Sequence, residues 1–467
     1  PADTVAIFKR GGFDSTVHMP VKYEDPYPLD AKRFLVSRQT GKGEAMGIFL
    51  VDTEGSETLL HVEEPGCFDP MPLAPRPRPP VIPTRRDWQD GPGKFYVQDV
   101  YIGTHMEGVE RGSVKWLRVV ESPEKRSWTP VCWGGQGAQA PAMNWHNFEN
   151  KRILGTAPVQ PDGSAYFEAP SDRFVFFQLL DAKGMMVQSM RSGTIIQSGE
   201  SQGCVGCHES RTGGSTPSGN TMAMQRPADK LNGWHGEPRE FGFLAEVQPV
   251  LTRNCVRCHD FGKPAGKKLV LAPDRDFVFN AAYIELWAKG MIRCVGGGPA
   301  EIQPAKSWGS HTSRLIEVIR KGHQDVKLTP EETDRLITWV DINAPYYPSY
   351  LCAYPENTVG RCPLDKTQVR QLAELTGVNL NQHDRHSALQ HPLVSFDRPE
   401  VSPILAGVAD QAKAAAIEII RAGQRQLQKI PEADSPGFVP CAVDLARDAK
   451  YRERAEAEAA VRRAIRE

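Results

Sequence analysis

Two copies of one five-residue pattern limit what this chain can become: Cys204-Val-Gly-Cys207-His208 and Cys255-Val-Arg-Cys258-His259. C-x-x-C-H is the spacing at which two thiols add across the two vinyl groups of one porphyrin while the adjacent imidazole is delivered to the iron. A redox dithiol needs no histidine after its second cysteine, and here both copies have one. Zinc ribbons set their C-x-x-C pairs about 15–20 residues apart; here 47 residues lie between Cys207 and Cys255. The sequence therefore predicts two covalently bound haem c groups. Cys204 and Cys207 hold the first and Cys255 and Cys258 the second, with His208 and His259 as proximal iron ligands.

Covalent haem attachment points to a periplasmic or otherwise extracytoplasmic compartment. That space is oxidising, so further cysteines can pair. Cys352 and Cys362 flank a polar Pro/Asn/Gly stretch that a disulfide could close. Cys67, Cys132, Cys294 and Cys441 read as buried small residues or long-range pairs rather than metal ligands. No run of 18 apolar residues is present, which predicts no transmembrane helix. The first residues, PADTVAIFKRGG, show no apolar core with a small-residue cleavage site, and the expectation is a leader already removed or a chain that begins inside a longer precursor. Lys plus Arg number 56 against 57 Asp plus Glu, a net charge of −1. Bulk electrostatics thus argues against nucleic acid or an anionic membrane as partner.

At 467 residues the chain has room for about three domains. Its 41 glycines and 38 prolines predict many turns and short strands. Residues 34–37, 47–52 and 57–62 read as strands joined by a D-x-x-G turn, as in a β-propeller blade. Such a blade cannot bury its faces alone. The run 70–83, MPLAPRPRPPVIP and its neighbours, is a stiff linker. Residues 95–192 are again β, with hairpin signals at Pro161-Asp-Gly-Ser164 and Asp181-Ala-Lys-Gly184, and predict a β-sandwich. The first haem motif follows in the loop 199–208.

The second motif ends a helical segment, 241–254, whose regularity Pro249 limits. Residues 313–321 form a short amphipathic helix. Thr329-Pro-Glu-Glu332 then opens a capped helix that ends near Asn343-Ala-Pro345. This is the outline of a small cytochrome c domain. The expected class is α+β multidomain: 1–85 the end of a β-propeller and a linker, 86–237 a β-rich middle domain with the first haem, 238–348 a cytochrome c domain with the second, and 349–467 a C-terminal extension with helices at 408–429 and 443–466. Those two helices pack on their own chain or clasp a neighbouring subunit, making an oligomer.

The distal ligands need separate argument. For the second haem, His323 sits in the loop before the last helix with Gly322 allowing close approach, and His311 is the alternative. Met291 or an open site is the remaining option. For the first haem, His146 is the leading distal candidate and His105 the next, with an open site equally compatible. His383, His386 and His391 beside Asp384 read as solvated histidines rather than a metal site. No phosphate loop, nucleophile elbow or paired-carboxylate signature is present.

Residues 155–170 (GTAPVQPDGSAYFEAP), Met190-Arg-Ser and Cys204 through Arg211 resemble the middle domain of the hydrazine synthase alpha subunit family. So do Val247-Gln-Pro-Val-Leu through Asp260, and Leu336 to Tyr346. The resemblance covers roughly 20–400. It implies a β-propeller ahead of the middle domain, of which the first 85 or so residues are the end, and a cytochrome c domain after it. In the family enzyme a tyrosine stands close after the first haem motif; here no tyrosine occurs between Ser201 and Ala282.

Two functions follow as expectations. One is an extracytoplasmic dihaem electron-transfer protein that passes electrons between its haems and a redox partner or other subunits of a larger complex. The alternative is a haem oxidoreductase acting on a small nitrogen or oxygen species at the first haem, with the second haem as relay.

Overall fold

A computed structural model describes residues 21–41, 45–88, 91–124, 150–190, 192–207, 220–295, 303–349, 351, 353–354, 361–380, 391–431 and 438–466. The chain divides into two units, Pro1–Pro83 and Thr84–Glu467.

In the first unit, four strands form one antiparallel sheet in the order β1-β2-β3-β4: β1 Tyr23–Pro28, β2 Arg33–Gln39, β3 Met46–Asp52 and β4 Glu57–Val62. The turn from β3 to β4 is set by Asp52, whose Oδ1 accepts the Glu54 and Ser56 amides at 2.9 Å, and by Gly55 at φ +90°. Val36, Met46, Phe49 and Cys67 are buried, whereas every residue of β4 is exposed. Strands β2, β3 and β4 overlap the expected 34–37, 47–52 and 57–62, whereas β1 was not expected. The described residues hold one blade-like sheet and no closed propeller. Residues 71–83 carry no regular structure, as the proline run requires.

The second unit opens with two sheets. One has the order β10-β9-β6-β7, from β6 Val114–Glu121, β7 Arg152–Pro158, β9 Val175–Asp181 and β10 Met186–Ser189. The other has the order β11-β5-β8, from β5 Gly93–Val97, β8 Ala165–Ala169 and β11 Ser201–Cys204. Phe95, Phe167, Phe177, Leu117, Val119 and Leu179 share one buried cluster between them. Phe95 and Phe167 meet Phe177 edge-on at 5.0 and 5.5 Å. The two turn signals have different outcomes. Asp181–Gly184 closes a hairpin, β9 against β10. Pro161–Ser164 does not: β7 pairs with β6 and β8 with β5, so this turn carries the chain from one sheet to the other. Both uses need Gly in the left-handed region, at φ +89° for Gly163 and +74° for Gly184.

Strand β9 is buried on both faces, the reason its sequence runs apolar without alternation. Its second face meets the helices: α1 Phe243–Glu246, α2 Gln248–Asn254, α3 Ala281–Ala288, α4 Arg314–Lys321 and α5 Pro330–Asp341. Pro249 splits the expected 241–254 helix in two and occupies the first turn of α2, where its missing N–H costs nothing. Thr329 and Glu332 form the expected capping box of α5. Helix α3, buried along 281–286, carries no polar face and left no period to read in the sequence. Tyr283, Trp339, Tyr346 and Phe243 build an aromatic core, with Tyr283–Tyr346 at 4.9 Å and Phe243–Trp339 at 5.0 Å.

Residues beyond 361 form α6 Lys366–Thr376, α7 Asp410–Lys429 and α8 Ala442–Arg466. Leu364, Leu372, Phe396, Leu405, Ala416 and Ile420 join the same core as the α1–α5 residues. Helix α7 therefore packs on its own chain, and a Cβ on Gly423 would lie 2.4 Å from the Phe396 ring. Helix α8 is largely exposed; Arg462 pairs with Asp172 of its own chain at 2.9 Å. No helix among the described residues is long and apolar enough to cross a membrane.

Candidate haem-attachment sites

The second motif is held by the end of α2. The Cys255 amide closes the helix onto Leu251 O at 2.8 Å, and the Cys258 and His259 amides both return to Cys255 O at 3.0 Å. This tight turn presents both sulfurs and the imidazole from one short segment. Burial pushes the Cys255 thiol up to about 11, while Cys258 is exposed. The Leu271 amide bonds His259 O at 2.8 Å. His259 Nδ1 lies 2.9 Å from Leu269 O, a contact in which the ring nitrogen donates and Nε2 is left as the acceptor nitrogen.

Across from that ring stands His323. The two ring centres are 6.0 Å apart, at an interplanar angle of 40°. Two imidazoles on one metal, each with a metal–nitrogen bond of about 2.0 Å, place their ring centres roughly 6 Å apart. The residues present thus fit a haem iron. Gly322, at φ +84°, ends α4 and turns the chain toward this position. His311 lies elsewhere, its Nε2 3.6 Å from Asp181 Oδ2 at the β9–β10 turn, too long for a hydrogen bond. Burial depresses its pKa, and Asp181 opposes that shift.

Behind the motif, Asp260 is gripped by Arg398, which also bonds the buried Asp274. Those two carboxylates, Asp274 first, raise the Arg398 pKa. The Arg398 bond to Asp260 in turn holds that carboxyl below its usual range. No periodicity marks residue 398; an arginine in a Pro/Ser segment gives no sign of its partner 138 residues away.

The first motif is built on a strand rather than a loop. β11 runs parallel to β5, with Cys204 opposite Val97. The Gln98 amide bonds Cys204 O at 2.9 Å, the Asp99 amide bonds Val205 O at 3.0 Å, and the Cys207 amide bonds Ile102 O at 2.7 Å. A Cβ at Gly206 would lie 2.1 Å from Ile102 O, so only glycine permits this approach. Cys204 and Cys207 pack against the cluster between the two sheets. His105 is exposed in the loop after Ile102, at φ +66°. His208 and His146 lie outside the described residues, as do Cys132, Cys352, His383 and His386.

A buried polar seam joins the β6–β9 sheet to α5. Arg118, fully buried, donates to Thr338 Oγ1 at 2.9 Å and to Gln178 Oε1 at 3.2 Å, and Gln178 Nε2 donates to Asp341 O at 2.8 Å. Asp341 accepts from the Met186 amide and the Ser310 hydroxyl at 3.0 Å, and from the Ser310 amide at 2.6 Å. Burial pushes Asp341 up to about 6, against the pull of Arg118. Helix α5 is thereby fixed to the middle sheet on one side and to α2 through Glu332, which accepts from Arg253 and Asn254 at 3.0 and 3.1 Å.

The family model of the hydrazine synthase alpha subunit middle domain matches residues 112–209, a span that includes the first haem motif. A curated relative, hydrazine synthase subunit alpha of Kuenenia stuttgartiensis, is 21% identical over 44% of this chain and 35% of its own length. The chain thus spans about a third of the length of the curated relative it matches. The solved Kuenenia stuttgartiensis hydrazine synthase aligns with a TM-score of 0.48 at 16% identity, over 70% of this chain and 55% of that one.

Proposed function

The chain is hydrazine synthase alpha-like, and from that premise we propose that it is an extracytoplasmic dihaem c-type cytochrome that moves electrons between its two haems and a redox partner or the other subunits of a larger assembly. The observation that carries this reading is the facing pair His259 and His323, ring centres 6.0 Å apart. Haem c, when bound, supplies a one-electron iron couple. The chain's own residues do the rest. Cys255 and Cys258 tether the second porphyrin. The Leu269 carbonyl orients His259 through Nδ1 and makes Nε2 the stronger donor. His323 would supply the second imidazole to that iron, and two histidines would lower its potential relative to His/Met ligation. Cys204 and Cys207 would hold the first porphyrin, and His208 would bind its iron. The seam of Arg118, Gln178, Thr338 and Asp341 keeps the middle sheet and α5 in one fixed arrangement.

A second reading rests on the span 112–209, which contains the first motif and not the second. It makes the first haem the reacting centre for a small nitrogen or oxygen species and the second its relay. The spin state of the oxidised, haem-loaded chain separates the two. Two low-spin signals and no cyanide binding support the electron carrier; a high-spin component that titrates with cyanide supports the second reading. Pigment that extracts into acidic acetone would overturn both.

A further inference from the structure

The last strand of the first unit ends in a cluster that neither haem explains. His61, Glu63 and Cys67 bring one imidazole nitrogen, one carboxylate oxygen and one sulfur within 4.8 Å of one another. The placement follows from the backbone. His61 lies near the end of β4 and Glu63 just follows its last residue, and their side chains meet with Nε2 and Oε2 3.4 Å apart. The chain then reverses through Pro65 and Gly66. Gly66 sits at φ +138°, where a Cβ would press on the Phe68 ring at 3.1 Å and the Met46 amide at 3.3 Å. The Cys67 amide bonds Met46 O at 2.9 Å, which ties the thiol to the start of β3.

We propose that His61, Glu63 and Cys67 form a site for a zinc-type divalent cation. The distances suit that ion. Two ligands about 2.0 Å from a tetrahedral zinc lie roughly 3.3 Å apart; His61 Nε2 and Glu63 Oε2 are separated by 3.4 Å. The donor set, one thiolate, one imidazole and one carboxylate, selects a borderline cation over calcium or magnesium, which favour oxygen alone. Three protein donors leave a fourth tetrahedral position for water. The burial pattern also fits: Cys67 is buried while His61 and Glu63 face solvent, which gives the ion an entry path. Bound metal would tie the segment that follows β4 back to the end of that strand. Cys67 on sequence alone reads as a buried small residue; only the chain reversal at Pro65 and Gly66 puts it beside two further donors.

The test uses the haem-loaded chain, whose C-x-x-C-H sulfurs are consumed as thioethers, stripped of free metal and titrated with zinc and then cobalt(II). The site predicts one tight zinc equivalent and a thiolate-to-cobalt charge-transfer band. Cys67→Ser should abolish the band. His61→Ala and Glu63→Ala should each weaken zinc binding by at least ~10–100-fold, the loss usual for an outer-shell partner alone. Both of these residues are exposed, so their variants keep the test valid should Cys67→Ser fail to fold. No cobalt band in the wild-type chain, a band that survives Cys67→Ser, or unchanged zinc affinity in both the His61→Ala and Glu63→Ala variants would overturn the proposal. None of these outcomes depends on the spin state of either haem.

Discussion

The Arg398 guanidinium grips the Asp260 carboxylate through two nitrogens, at 2.7 and 3.1 Å, and Asp260 directly follows His259, the last residue of the second C-x-x-C-H motif. The same guanidinium bonds Asp274 at 2.7 and 2.8 Å. A residue of the C-terminal part of the chain thus holds the far side of the second C-x-x-C-H turn. Arg398→Ala leaves Asp274, 2% exposed, without its cation. The expected cost is about 2–3 kcal/mol, read as a lower denaturant midpoint at unchanged slope. Asp274→Asn combined with Arg398→Met should recover part of it, and equal loss in single and double variants would contradict the pairing.

His323→Ala should turn the second haem high-spin and open it to cyanide, while His311→Ala should leave its spectrum unchanged. Imidazole added to His323→Ala should restore the low-spin signal. A spectrum unmoved by His323→Ala, with loss in His311→Ala, would transfer the ligand role to His311.

Gly206→Ala should prevent assembly of the first attachment site. The added methyl would lie 2.1 Å from the Ile102 carbonyl oxygen, which is backbone and cannot rotate away. Intact-mass measurement should then find a chain lighter by one haem, with the second still attached. A fully loaded Gly206→Ala chain would show that the parallel β11–β5 pairing is dispensable.

Asp341 provides a pH signature. Its folded pKa of about 6 lies above the ordinary 3.8, so between those values the folded state holds more protons than the unfolded one. Stability from this group is greatest below about 4, falls as pH rises through about 6, and is level above it. The full swing is on the order of 3 kcal/mol. In Asp341→Asn the chain should lose that slope, so the stability difference between wild type and variant should change between pH 4 and 6.5 and be flat from 7 to 8. A difference independent of pH would mean that Asp341 is ionised at little cost.

Legibility in the sequence followed the range of the interaction. The C-x-x-C-H motifs, the Thr329–Glu332 capping box, the Asp181–Gly184 hairpin and the Pro-rich segment were readable because each depends on residues within a few positions of one another. Helix α3 was not, because a helix buried on all sides has no polar stripe to set its period. Helix α6 carries a local signal of the same kind as that of α5, with Asp365 and Gln368 forming a capping box and Gly377 ending it in the left-handed conformation.

What the sequence determined by itself was the chemistry on offer: two pairs of thiols, each with a histidine, since covalent spacing alone fixes it. What only the tertiary structure decided was which groups meet that chemistry. His323 rather than His311 faces His259, Arg398 closes on Asp260, and Pro161–Ser164 crosses between sheets instead of closing a hairpin. Each of these depends on packing between segments tens to more than a hundred residues apart. No local preference of the backbone encodes that information, and it arises only when apolar faces are buried together and the polar groups carried with them find partners.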